Sequence, residues 1–322
     1  MKKLTVLFFL CIIPFIANAT ISEMSFGKWN IKFDDETKRA EFVKEGVTVL
    51  KDVKIKFKNG DVLLDASSYN SVKIKQEDIV DEVGKARKFT IEYTGSENSD
   101  NPIVYQNFYL YDGQDYFLTD VILQSPDNSI ISSNYIAPIS TEADNLFLPA
   151  DVNNRFITVP FDNDGFITYA SYPLSCSQTD PESLAIGRVA RDSVSMEVSA
   201  IFNGETQLGL VIGSVDHDTW KSAVRITGSP LAQGKITNLE CFSGVTHHIT
   251  RDMIDGVLKP HGAVKGQQVK SARMIVHYSG DWRTGLETFG DVCCAIAPKR
   301  SWDKPAPYGW SSWGGMGTEI SY

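Results

Sequence analysis

The sequence predicts an all-β fold, a large antiparallel β-sandwich followed by one helix. Three observations carry that prediction. Apolar and polar residues alternate over short runs, the pattern of strands with one buried face. Asn-Gly, Asp-Gly and Asn-Pro pairs punctuate those runs, as turns between antiparallel strands require. Between residues 20 and 280 no long segment has the 3.6-residue period of a helix, a weak one over residues 183–189 apart.

The N-terminus reads as a targeting segment. Lys2 and Lys3 precede an apolar run from Leu4 to Ile16, and Ala17-Asn18-Ala19 follows. A basic start, a short apolar core and an A-x-A site make a secretory signal peptide over residues 1–19. The mature chain is expected to begin at Thr20 and to be exported, to the periplasm or beyond the cell. Lipoprotein processing at Cys11 is the rival, but Phe8-Phe9-Leu10 lacks the small residues that a lipobox requires. No other stretch is long and apolar enough to span a bilayer.

The chain has 322 residues, of which 42% are hydrophobic and 22% charged, enough apolar material for a sizeable core. Its net charge of −9 argues against nucleic acid and anionic membranes as partners, since both need clustered Lys and Arg. Of five cysteines, Cys11 leaves with the signal. Cys176, Cys241, Cys293 and Cys294 are too few to form a disulfide scaffold in a chain this long, and they are read as small buried residues.

The strand grammar starts early. Val53, Ile55 and Phe57 alternate with Lys54, Lys56 and Lys58, and Asn59-Gly60 signals a tight type I′ hairpin back through Val62. The lysine stripe is read as a solvated sheet face. Phe89, Ile91 and Tyr93 alternate next. Ile103 to Tyr111 is an aromatic strand, turned by Asp112-Gly113 into Tyr116 to Leu123. Val194, Met196 and Val198 alternate, Asn203-Gly204 turns, and Leu208 to Ile212 returns.

Three polar clusters invite chemistry and are read more simply. Asp162-Asn163-Asp164-Gly165 looks like a calcium loop but has neither the downstream Glu nor the helices of an EF-hand, so a hairpin turn between Ile157 and Ile167 accounts for it. His247 and His248 are adjacent, so on a strand they face opposite sides and cannot grip one ion. His217, between Asp216 and Asp218, is read as part of a polar loop. No metal site and no cofactor is expected.

Near the end the period changes. Trp282, Leu286, Phe289, Cys293 and Ile296 are spaced as one helical face, with Asp281 as N-cap and Pro298 as stop. Such a stripe must lie on something, either one side of the sandwich or a following domain. Lys299 to Pro307 is then a polar, Pro-rich linker. The layout is a sandwich over 20–280, the helix and linker over 281–304, and a new element from 305 to 322.

That last element carries Pro307, Gly309, Trp310, Ser311, Ser312 and Trp313. Large rings among small residues offer a flat apolar face to a sugar ring. The segment resembles the first barrel strand of the α-galactosidase (melibiase) clan of retaining glycoside hydrolases. The resemblance implies a supersandwich-like N-terminal domain, a connecting helix and a (β/α)8 barrel in which Trp313 lines the sugar pocket, with Trp310 beside it. It also implies that Arg155, Asp162 and Asp164 contact substrate or barrel.

A barrel takes about 250 residues, and from Pro305 to its end the chain has only 18. The clan's two catalytic aspartates come from later barrel strands, and no position here matches either, so no catalytic residue is assigned. The expectation is the N-terminal part of an exported α-galactosidase-like enzyme acting on an α-galactoside or related glycan once its missing C-terminal barrel is supplied. The other reading is a stand-alone carbohydrate-binding sandwich without catalysis.

Overall fold

The computed structural model describes residues 21–142, 148, 151–159, 170–174, 192–228, 236–244, 262–305, 309 and 318–319. Five strands open it: β1 (Ile21–Phe26), β2 (Trp29–Asp34), β3 (Arg39–Lys44), β4 (Val47–Asn59) and β5 (Val62–Asp65). A 3-10 turn over Ala66–Ser68, capped by Asp65, leads to four long strands. These are β6 (Tyr69–Val80), β7 (Lys85–Ser96), β8 (Ile103–Tyr111) and β9 (Tyr116–Gln124). Shorter ones follow: β10 (Ile131–Ser133), β11 (Ile136–Glu142), β12 (Asn154–Thr158), β13 (Ala170–Pro173), β14 (Asp192–Met196) and β15 (Val198–Asn203). The last are β16 (Gly209–Ser214), β17 (Ser222–Gly228), β18 (Ile236–Ser243), β19 (Val264–Gly266), β20 (Gln268–Lys270) and β21 (Met274–Ser279). One helix is described, α1 (Trp282–Ile296).

The strands form the predicted antiparallel sandwich. One layer runs β1-β2-β3-β4-β11-β18-β17-β14, with β5 on β4. The other runs β13-β12-β15-β16-β21-β9-β8-β7-β6, with β20 on β9, and β10 pairs with β19 at the side. The core lies between the layers. Trp29 and Phe42 of the first meet Phe117 of the second edge-on, with ring centroids 4.8 and 5.0 Å apart. Phe33 meets Tyr93 at 6.1 Å in the same way. Each fully buried ring of this kind stabilises the fold by roughly 1.5–3 kcal/mol.

The alternation in β4 is realised: Val53, Ile55 and Phe57 are buried. Its lysine stripe is not simply solvated. Lys54 pairs with Asp65 at 3.3 Å, and Lys56 with Glu142 and Glu240 at 3.4 and 3.7 Å, leaving the two lysines about one-fifth exposed. The hairpin also differs in detail. Asn59 pairs with Val62, so Gly60 and Asp61 form the loop. Gly60 has a φ of +60° and Asp61 is not left-handed, so the turn has the type II′ pattern with glycine first.

A second difference concerns the run at Val194, Met196 and Val198, which is not one strand. Glu197, with a φ of +62°, breaks it. β14 before it pairs with β17 in one layer, and β15 after it pairs with β16 in the other. The chain changes sheet at that residue. Hydrogen bonds hold the crossing, from Glu197 N–H to the Ser222 carbonyl and from Ser214 N–H to the Glu197 carbonyl.

The helix begins where its sequence indicates. Asp281 Oδ1 accepts from the Arg283 N–H at 3.0 Å, the cap expected of an aspartate at a helix N-terminus. Its apolar stripe lies on the outer face of the second layer, against Ala200, Phe202 and Val211 at one end and Tyr116, Leu118 and Ile275 at the other. Trp282 stacks on Phe202 with centroids 4.2 Å apart. Gly285 and Val292 are the most deeply buried helical residues.

Candidate functional site

Of the residues singled out from the sequence, Trp310, Trp313, Asp162 and Asp164 lie outside the described residues. Arg155 is described and stands on β12. Its guanidinium donates to Ser171 Oγ at 3.0 Å and to the Ser171 carbonyl at 2.8 Å, tying β12 to β13. These two strands form an antiparallel pair, with Ile157 opposite Ser171, while the turn expected between Ile157 and Ile167 lies outside the described residues. So the arginine already serves the scaffold.

The same end of the sheet gathers polar loop residues. Asn203 donates through Nδ2 to Asp151 and to Asn154, while its Oδ1 accepts from the N–H groups of Glu205 and Thr206. Gln207 accepts from the Trp282 indole N–H at 3.0 Å and so links this loop to the start of α1. A few residues beyond α1, Trp302 is 64% exposed, with its indole N–H donating to the Pro305 carbonyl at 3.2 Å. Sequence reading passed over Trp302, whose signal was a large ring in a polar linker.

Sequence reading also missed a buried polar rung across the outer face. Asp120 sits in the apolar strand β9 with no exposed surface. A lone carboxylate in such a run was the available signal, since aspartate is almost never fully buried unless paired. Its oxygens accept from Asn107 Nδ2 at 2.7 Å and the Tyr109 hydroxyl at 2.9 Å, and Lys270 Nζ lies 3.3 Å away. Thr90 extends the rung by donating to Asn107 Oδ1 at 2.7 Å. Burial, together with the charge of Asp120, raises the Tyr109 hydroxyl well above its ordinary range, so it stays a donor.

Beside this rung, Arg273 gathers Asp216 at 2.9 Å and Glu82 at 3.4 Å. Burial pulls the guanidinium down, but the bonds and charge of Asp216 outweigh it and the net shift is upward. Asp81 accepts from the Tyr111 hydroxyl at 2.7 Å. Each of these outer-face carboxylates is thus committed to a partner. A retaining glycosidase needs two carboxylates about 5–5.5 Å apart, one to attack and one to donate a proton. The contacts shown for the carboxylates here are structural ones, to Asn107, Tyr109, Tyr111, Lys270 and Arg273.

Two open depressions mark the described surface. One of about 210 Å³ is bordered by Lys32, Asp34, Arg39 and Lys51, and one of about 150 Å³ by Tyr69, Asn98, Asn101 and Pro102. Among the described residues no three His, Cys, Asp or Glu side chains converge to hold a metal ion, and no helix is long and apolar enough to cross a membrane.

No protein-family model matches the sequence, and no curated protein matches it. Solved structures share its fold. An α-N-acetylgalactosaminidase from Bifidobacterium bifidum, in complex with GalNAc, superposes with a TM-score of 0.52 and 11% identity, covering 86% of this chain and 39% of that one. The Gal-NHAc-DNJ complex of the same enzyme gives 0.53 at the same identity and coverage. A GH36 α-galactosidase from Geobacillus stearothermophilus, in complex with raffinose, gives 0.49 at 8% identity, covering 84% of this chain and 42% of that one. The match takes in 39% of the length of the α-N-acetylgalactosaminidase.

Proposed function

We propose that this chain is the N-terminal sandwich portion of an exported glycoside hydrolase of the α-galactosidase type. The observation that supports the reading is the order of parts. A sandwich that superposes on the α-N-acetylgalactosaminidase is followed by a docked helix, and then by the Pro307–Trp313 motif. In this reading the chain divides into a signal peptide over 1–19, the sandwich over 20–280, helix and linker over 281–304, and a first barrel strand from 305.

The substrate would be an α-galactoside or a related glycan such as an α-N-acetylgalactosaminide. Trp313 and Trp310 would give its terminal sugar an apolar face. Both catalytic carboxylates would come from a barrel following Tyr322 and act by a retaining mechanism. The sandwich contributes position: α1 fixes the direction in which the linker leaves. The coding DNA beyond Tyr322 tests this. Further β/α units with paired aspartates are expected, and the extended chain is expected to hydrolyse 4-nitrophenyl α-galactoside. Turnover by the 322-residue chain alone would sink the proposal.

A second reading, a stand-alone sugar-binding sandwich, is favoured by one feature: the helix stripe already has its partner in the second layer. It predicts that titration calorimetry detects galactose binding to this chain, weakened by Trp313→Ala.

A further inference from the structure

Three parts of the chain far apart in sequence bring a thiol, an imidazole and a carboxylate into a row. Cys293 stands on the last turns of α1, His217 in the loop between β16 and β17, and Glu197 at the sheet crossing between β14 and β15. Cys293 Sγ lies 3.7 Å from His217 Nε2, and His217 Nδ1 lies 3.8 Å from Glu197 Oε2. The ring nitrogens point opposite ways, so the three groups cannot share one metal ion. They can relay a proton: the thiol gives it to Nε2, and the nearby carboxylate favours the imidazolium that forms by its charge.

The fold holds the backbone that carries each member, while the His217 and Glu197 side chains are partly exposed. Glu197 keeps its left-handed backbone because both its N–H and its carbonyl are bonded across the two layers. Gly213 makes that approach possible, since a Cβ there would stand 2.4 Å from the Glu197 carbonyl oxygen. Asp216, next to His217, accepts from the Arg273 N–H at 3.0 Å and from its guanidinium at 2.9–3.1 Å. The Val215 N–H is bonded to the Arg273 carbonyl. On the helix side, Val292 and Phe289 anchor the turn that carries Cys293.

We propose that Cys293 is a base-assisted thiol that undergoes exchange with low-molecular-weight disulfides, making this corner of the sandwich a reversible S-thiolation site. The Cys293 sulfur bonds to one sulfur of the disulfide as that S–S bond breaks. The departing thiolate takes the proton that His217 Nε2 received from Cys293. One disulfide is consumed and one formed, so electrons balance without another oxidant.

Burial, with the charges of Glu197 and Asp216, pushes the Cys293 thiol up to about 11. At neutral pH it is therefore protonated, and a nearby base decides whether it reacts. Cys294 provides an internal comparison. It is the next residue and is exposed, but it has no imidazole partner among the described residues.

The test treats two forms of the full chain, Cys294→Ser and Cys293→Ser, with oxidised glutathione at neutral pH and follows the adduct at residues 293 and 294 by peptide mass spectrometry. Cys293 is expected to react faster than the more exposed Cys294. Adding His217→Gln is expected to slow it about a hundredfold or more, the usual scale of general-base help, with the thermal midpoint checking the fold. Faster reaction at Cys294, or no effect of His217→Gln in a folded chain, overturns the proposal. Should that variant fail to fold, the pH profile of the Cys294→Ser form decides. A rate that levels off well below the thiol's own range supports base assistance, whereas one that climbs steadily to about 11 refutes it.

Discussion

Gly285 of α1 rests directly on His277 of β21. A Cβ at position 285 would stand 2.8 Å from His277 Nδ1 and 2.7 Å from Val211 Cγ2, both inside van der Waals contact. The absence of a side chain sets how closely the helix lies on the sheet. In an unpacked helix, alanine would be favoured over glycine by about 1 kcal/mol. Here the clash reverses the sign, and Gly285→Ala is expected to destabilise by about 1–3 kcal/mol, the usual cost of overpacking. Urea unfolding checks it; a stabilised variant would show that the helix sits elsewhere.

The same contact makes stability depend on pH. His277 is buried, and its Nδ1 has no hydrogen-bond partner. Burial lowers its pKa to about 4, with Asp115 opposing and Lys44 and Lys28 assisting. The ordinary value is about 6.5, so between these limits the unfolded chain binds the proton and the folded chain does not. The contribution of His277 is complete above about 6.5, is lost as pH falls toward about 4, and then levels off, a swing of up to about 3 kcal/mol. Unfolding midpoints at pH 7, 5.5 and 4 should fall in that order, and His277→Gln should flatten the trend. An unchanged slope in that variant would place the titration on another group.

How much of this was legible depends on whether a signal was local. β4, β7 and the helix face could be read because alternation and helical period record burial residue by residue. The crossing at Glu197 was hidden: Val194, Met196 and Val198 keep their alternation, while a single left-handed residue sends them to different layers. The lysines of β4 were misjudged because Glu240 and Asp65, which partly cover them, come from other strands. His217 had no visible partner because Cys293 is 76 residues away.

Asp120 tests whether the outer-face rung is scaffold. Removing its carboxylate leaves the Asn107 amide and the Tyr109 hydroxyl without their acceptor in a buried place. Asp120→Ala is expected to cost about 1–3 kcal/mol for each donor left unpaired, the scale for a buried polar group that loses its partner. Asp120→Asn keeps the shape and one acceptor oxygen, and should lose less. Equal losses in the two variants would mean that packing, not acceptance, fixes Asp120. Denaturant midpoints give both numbers.

Trp282 joins the helix to the β15–β16 loop in two separable ways. Its ring stacks on Phe202, and its indole N–H donates to Gln207 Oε1. Trp282→Phe keeps a ring over Phe202 and removes one hydrogen bond, so a loss of about 1 kcal/mol is expected. Trp282→Ala removes both and opens a cavity, and the expected loss is about 3–5 kcal/mol. The difference between the variants isolates the stacked ring. Should Trp282→Phe cost as much as Trp282→Ala, the bond to Gln207 rather than the ring would be what holds the helix start.

Arg155 separates scaffold from sugar contact. Both bonds from its guanidinium go to Ser171, which stands opposite Ile157 in the β12–β13 pair. Lysine carries the charge but not the planar fork that presents the two N–H groups to Ser171. Arg155→Lys is therefore expected to lower the thermal midpoint by a few degrees, as a loss of about 1 kcal/mol does, and to leave any affinity for galactose unchanged. If calorimetry instead shows sugar binding lost with the midpoint intact, the guanidinium turns toward a ligand in solution. The bonds to Ser171 would then be its resting position, and the resemblance that made Arg155 a substrate contact would gain its support.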